Sequence, residues 1–176
     1  MTYSHQRRVE FRDTDAAGIV HFSVFFPMME EAEHAALRHL GLSVMRPADV
    51  TGHLTWPRVA AHCEYLAAAR FEDLLRIDVI VERIGVTSVN YAFHFWRDAG
   101  LMSPECLAKG RMTAVCCHWT PGQTLKKQPI PERERAALSR LMLRPSAVDR
   151  SKPPGNSAPA DRSSAEQPPT EGTDWP

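Results

Sequence analysis

The chain has 176 residues, with 21 basic and 21 acidic side chains and a formal net charge of zero. No basic run or stripe stands out, which argues against a nucleic-acid partner, and no apolar run approaches the ~20 residues that insert across a membrane. Met1–Arg8 lacks a signal-peptide core and the four cysteines form no C-x-x-C pair, so a cytoplasmic protein with reduced thiols is expected.

In chain order, Arg8 to Arg12 alternates Val9 and Phe11 with charged neighbours and predicts a short strand. Asp13 to Phe22 reads as a loop in which Gly18 is free to take a positive φ. A helix follows from about Ser23 to Leu40, with Ser23 as N-cap and Pro27 in its first turn. Phe25, Met28, Met29, Ala32, Ala36 and Leu40 form its apolar stripe, Glu30, His34 and Arg38 a polar face, and Gly41 its stop. Four period-two runs come next: Val59–Leu66, Leu75–Val81, Val89–Phe95 and Leu107–Cys116, with turns at Gly85 and Asp98–Ala99–Gly100. Pro131 to Leu141 predicts a short C-terminal helix with proline at its start. Seven of the fourteen prolines lie in Pro145–Pro176, a stretch with almost no apolar residues. Residues 4–143 are therefore expected to form one α+β domain and 144–176 a disordered tail. The order β-α-β-β-β-β favours a five-stranded antiparallel sheet curled around the helix. One helix covers only part of such a sheet, so its free edge and face imply at least a dimer.

Chemistry concentrates between the first strand and the helix. Asp13 and Asp15 stand two residues apart just before a helix N-terminus, where unpaired N–H groups can polarise a carbonyl. A carboxylate beside such a site suits acyl-group hydrolysis. Asp15 is the candidate acid, against the plainer reading of a loop acid or helix cap that complements the dipole. Asp13 is expected to be structural, an Asx-turn acceptor. His21 is a candidate to orient water, to donate to a leaving thiolate, or to line a pocket. The histidines show no H-E-x-x-H or similar spacing, so neither a metal nor another cofactor is expected. Cys63, on a strand face, reads as inert packing rather than a nucleophile.

The run Phe11-x-Asp13-Thr14-Asp15-Ala16-Ala17-Gly18-Ile19-Val20, its continuation through Phe26, Glu30, Glu31 and Ala32 to Leu40-Gly41-Leu42, and Gly110–Cys117 followed by Lys126–Pro131 together resemble the hotdog-fold acyl-CoA thioesterases of the 4-hydroxybenzoyl-CoA thioesterase-like branch. The resemblance spans residues 7–131. It implies a hotdog fold, a homodimer or homotetramer, and metal-independent hydrolysis of an acyl-CoA to free acid and CoA. It also implies Asp15 as the catalytic carboxylate, either nucleophile or general base, and the Phe22 backbone N–H as the group that polarises the thioester. Gly18, Ile19 and Val20, with Phe25, Phe26 and Met29 from the helix, would then border the acyl group. Thr87 and Ser88 would reach the pantetheine or acyl head, unless they are ordinary strand-start hydroxyls. Two other functions stay open: a non-catalytic hotdog dimer that binds acyl-CoA or an acyl carrier protein, and a hotdog dehydratase using His21.

Overall fold

The structure, a computed structural model, describes residues 2–49, 52–97 and 103–142; the turn expected at Asp98–Ala99–Gly100 and the tail from residue 144 lie outside them. In chain order the elements are β1 (Tyr3–Arg8), α1 (Phe25–His39), β2 (Met45–Asp49), β3 (Gly52–Thr55), β4 (Arg58–Tyr65), β5 (Leu74–Ile84), β6 (Ser88–Arg97), β7 (Glu105–Val115), β8 (Cys117–Trp119), β9 (Lys126–Lys127) and α2 (Glu132–Ser139). Short 3₁₀ turns occupy Phe11–Asp13 and Phe22–Val24.

The long period-two runs pair as their patterns dictate. They form an antiparallel five-stranded sheet in the order β1-β5-β6-β7-β4. Leu75, Ile77, Val79 and Val81 of β5 lie on one buried face with Val89, Tyr91, Phe93 and Phe95 of β6. Phe25, Met28, Met29, Ala32 and Ala36 of α1 are buried in the same cluster. Gly110 of β7 lets the helix come close, since a Cβ there would collide with Met29 Sδ. No helix among the described residues is long and apolar enough to cross a membrane. The sheet wrapped against a single long helix is the hotdog architecture expected from the sequence.

Several local expectations change. The first strand lies earlier, at Tyr3–Arg8. The Val9 N–H and C=O tie to Asp73 and Glu72 (2.9 and 3.0 Å), and the chain then bends into a 3₁₀ turn that leaves Phe11 79% exposed. Ser23 is not the helix cap. His21 offers its own acceptor first, Nδ1 to the Ser23 N–H at 3.4 Å, so a 3₁₀ turn precedes α1. Pro27 sits in the first turn of α1, where its missing N–H removes no intrahelical bond. Gly41 (φ +71°) closes the helix: its N–H bonds Arg38 O at 3.0 Å, and the Leu42 N–H bonds Leu37 O at 2.8 Å. The alternation in β4 gives no buried face, because β4 is the sheet edge and Val59 is 60% exposed.

Two features have no counterpart in the sequence reading. A second sheet, β2-β3-β8-β9, is built from strands of two to five residues, too short to show a period. Within the helix stripe, Glu33 is buried and ion-paired to Arg58. Burial raises its carboxyl above the ordinary range in spite of that cation.

Glu72 carries a positive φ of 71° without being glycine, which costs about 1 kcal/mol. Glu72→Gly should therefore raise stability by roughly 0.5 kcal/mol, after the glycine's extra unfolded-state entropy is subtracted. Urea unfolding of both proteins checks this, and a lower midpoint for the variant would refute it.

Candidate active site

The site begins with a small hairpin. Thr14 and Val20 form an antiparallel bridge, the Asp15 N–H bonds Ile19 O at 2.9 Å, and the Gly18 N–H bonds Asp15 O at 3.0 Å. Gly18 takes φ +73°, the left-handed position that closes a three-residue loop. Asp15 Oδ1 accepts the Ala17 N–H at 2.8 Å, so the Asx-type bond belongs to Asp15 rather than to Asp13. The hairpin is fastened to the β4–β5 connection, with Val20 N–H to Ala69 O at 2.8 Å and Ile19 bridging Arg70.

Asp13 is structural by another route. Its carboxylate takes both Arg7 terminal nitrogens and the Glu10 N–H (2.8 Å), while Arg7 Nε reaches Glu31 on α1 at 3.1 Å. Burial alone would raise the Asp13 carboxyl. The Arg7 hydrogen bonds, with the Glu10 N–H and the charge of Arg7, outweigh burial and hold it below the usual range. The Asp13 carbonyl in turn accepts the His21 N–H at 2.9 Å.

That bond delivers the chain into the Phe22–Val24 turn. His21 O accepts the Val24 N–H at 2.9 Å, which polarises the His21–Phe22 peptide. The Phe22 N–H, first in its turn, has no intrahelical acceptor and meets none among the described residues. Asp15, Ile19, Val20 and Phe22 then share one open cavity of about 360 Å³ with Phe25 of α1, Tyr65 of β4 and the stretch Leu66–Ala69. A carboxylate, a helix entrance and an apolar hollow thus meet at one place. Arg97 braces the far wall, with Nη1 on Asp73 at 2.8 Å and on Ala68 O at 3.2 Å.

The other expected site residues lie elsewhere. Gly18 shapes the hairpin and does not line the cavity. The His21 ring is engaged with Ser23 Oγ at 2.8 Å and tilts against the Phe22 ring at 4.4 Å. Met29 is buried in the core and Phe26 packs on its margin. Thr87 and Ser88 sit at the other end of the sheet. Ser88 pairs with Val115, while the cavity wall joins β7 at Leu107, so about 26 Å of strand separates them within one chain. Burial pushes the Cys63 and Cys116 thiols up to about 11, which leaves them protonated and poor nucleophiles at neutral pH. Sequence reasoning missed Tyr65 and Leu66–Ala69. The end of a period-two run followed by three alanines was the available signal.

Residues 17–103 match the thioesterase superfamily. A 1,4-dihydroxy-2-naphthoyl-CoA hydrolase of Nostoc punctiforme is 30% identical over 132 residues, covering 75% of this chain and 83% of that protein. Among solved structures, a 1,4-dihydroxy-2-naphthoyl-CoA thioesterase from Synechocystis superposes with a TM-score of 0.69 at 25% identity, covering 80% of this chain and 98% of that one. A gentisyl-coenzyme A thioesterase superposes with a TM-score of 0.64 at 28% identity, covering 77% and 99%. The chain belongs to the thioesterase superfamily and is a thioester hydrolase.

Asp13→Asn removes the charge that Arg7 holds. Because the folded carboxyl is depressed, its stabilisation is full above about pH 4 and is lost as pH falls through the folded value. The variant should be about 1–3 kcal/mol less stable at pH 7, with the gap to wild type narrowing below pH 4. Thermal unfolding at pH 7 and pH 3 reads this directly; a gap independent of pH would refute it.

Proposed function

We propose that the protein hydrolyses an aromatic acyl-CoA to the free acid and CoA, with Asp15 as the catalytic carboxylate and the Phe22 N–H as the donor to the thioester carbonyl. One observation carries the reading: Asp15 and the entrance of the Phe22 turn border the same cavity. As the thioester carbonyl becomes tetrahedral, negative charge grows on its oxygen. An unpaired N–H held by a rigid turn stabilises that charge more than it stabilises the ground state. The Asp15 carboxylate, with Oδ1 anchored on the Ala17 N–H, would attack the carbonyl carbon or take a proton from water that does so. Both routes break the C–S bond and release the CoA thiolate, which takes up a proton; in the nucleophilic route water then cleaves the Asp15–acyl anhydride, giving the free acid and restoring the carboxylate.

The acyl class follows from the walls. Phe22, Phe25 and Tyr65 bring three aromatic rings to the lining, and the small side chains of Ala67–Ala69 leave room for a flat group. Relatives whose names specify naphthoyl-CoA and gentisyl-CoA support the same choice. The dehydratase alternative loses its support, because His21 is engaged with Ser23 outside the cavity lining.

The reading includes a homodimer or homotetramer in the cytoplasm. Among the described residues no strand pairs with the outer edge of β4, and Val59, Tyr65 and Leu66 beside it are exposed apolar groups that a second copy would cover. In such an assembly Thr87 and Ser88 would serve the cavity of another copy. The four cysteines are free, the state that a reducing compartment maintains.

Thiol release from aryl-CoA and straight-chain acyl-CoA substrates should show highest kcat/KM for the aryl group. Asp15→Asn should lower kcat by ~10²–10⁴-fold with binding retained. Full activity in that variant would remove Asp15 from the chemistry, and binding without turnover in the wild type would favour the non-catalytic reading. Light scattering should give two or four times the chain mass; a monomer would contradict the assembly.

A further inference from the structure

Tyr65 ends β4 at the cavity, and its hydroxyl donates to the Phe22 carbonyl at 2.9 Å. Its ring meets Phe25 edge-on at 5.2 Å, and Phe25 meets Phe95 of the core at 5.1 Å. The residue therefore touches both the hollow and the turn that carries the free N–H. The two peptides flanking the Phe22 Cα are each held: His21 C=O by the Val24 N–H, and Phe22 C=O by Tyr65. With both peptide planes fixed, the direction of the Phe22 N–H is fixed. The first restraint is local to the turn, whereas the second comes from a strand 43 residues away in sequence.

We propose that Tyr65 is a positioning residue for thioester hydrolysis: its hydroxyl holds the Phe22–Ser23 peptide and so limits rotation about the Phe22 Cα, which keeps the adjoining His21–Phe22 plane and its N–H directed at the cavity, while its ring packs on the acyl group. The inference rests on the reading that the Phe22 N–H polarises the thioester. A misdirected donor weakens transition-state stabilisation, because oxyanion donors act only within a narrow range of distance and angle. Partial burial, with the neighbouring Cys63 thiol, raises the Tyr65 phenol above its ordinary value, so the hydroxyl keeps its proton and remains the donor at working pH.

The two parts of the side chain separate by substitution. Tyr65→Phe keeps the ring and removes the donor. It should lower kcat about tenfold, leave KM for an aryl-CoA within about twofold, and leave the Tm within about 2 °C. Tyr65→Leu removes the ring as well and should also raise KM several-fold. Hydrogen exchange at the Ser23 and Val24 amides should quicken in Tyr65→Phe while that of β6 stays constant. Wild-type kcat in Tyr65→Phe, beside a wild type that turns over and an inactive Asp15→Asn, would overturn this inference alone. A kcat loss matched by a large fall in Tm and faster exchange throughout would also overturn it, as a purely structural effect. No thiol release from the wild type would sink the thioesterase reading and this inference together.

Discussion

The geometry of the candidate site hangs on the buried contact between Arg7 and Asp13. One guanidinium gathers three separate parts of the chain: β1, which carries it, the loop through Asp13, and α1 through Glu31. Asp13 uses its side chain to receive that clamp and its carbonyl to receive the His21 N–H. The same residue thus fixes where the Asp15 hairpin begins and where the Phe22 turn begins. A pair so placed owes its value less to net stability, which buried ion pairs often lack, than to the unique path it imposes on the chain.

Around that contact the fold supplies rigidity. The hairpin has its own hydrogen bonds, a second fastening on the β4–β5 connection, and a wall braced by Arg97. Phe25 joins the cavity to the core by ring contacts with Tyr65 and Phe95. The cavity is therefore pre-formed on one side by secondary structure and on the other by a short irregular stretch. Glycines appear where backbone must turn or approach: Gly18 at the hairpin and Gly110 under Met29.

The elements with sustained periodicity were legible in the sequence. The faces of β5 and β6 and the stripe of α1 emerge from spacing alone, because each buries one side against the other. The positive φ of Gly18 and the nearness of Asp15 to the turn at Phe22 were legible from the loop motif, whereas the expected contact of Gly18 with the acyl group was not met, since it does not line the cavity. Three things were hidden for physical reasons. The small sheet has strands too short for a period to register. Glu33 looks like a surface glutamate until the fold brings Arg58 to it from 25 residues away. Tyr65 shows only as the last residue of a strand run, and its role depends on a tertiary contact with Phe22. Conversely, Thr87 and Ser88 stand out as hydroxyls at a strand start, yet the register of β6 on β7 sets them far from the cavity of their own chain.

A crystal structure of the Asp15→Asn variant holding an intact aryl-CoA is the most direct measurement. The expected result is the thioester carbonyl oxygen about 2.7–3.1 Å from the Phe22 nitrogen, the ring among Phe22, Phe25 and Tyr65, and the substituted side chain beside the carbonyl carbon. An acyl group bound away from this cavity, with the Phe22 N–H unengaged, would contradict the assignment of the site.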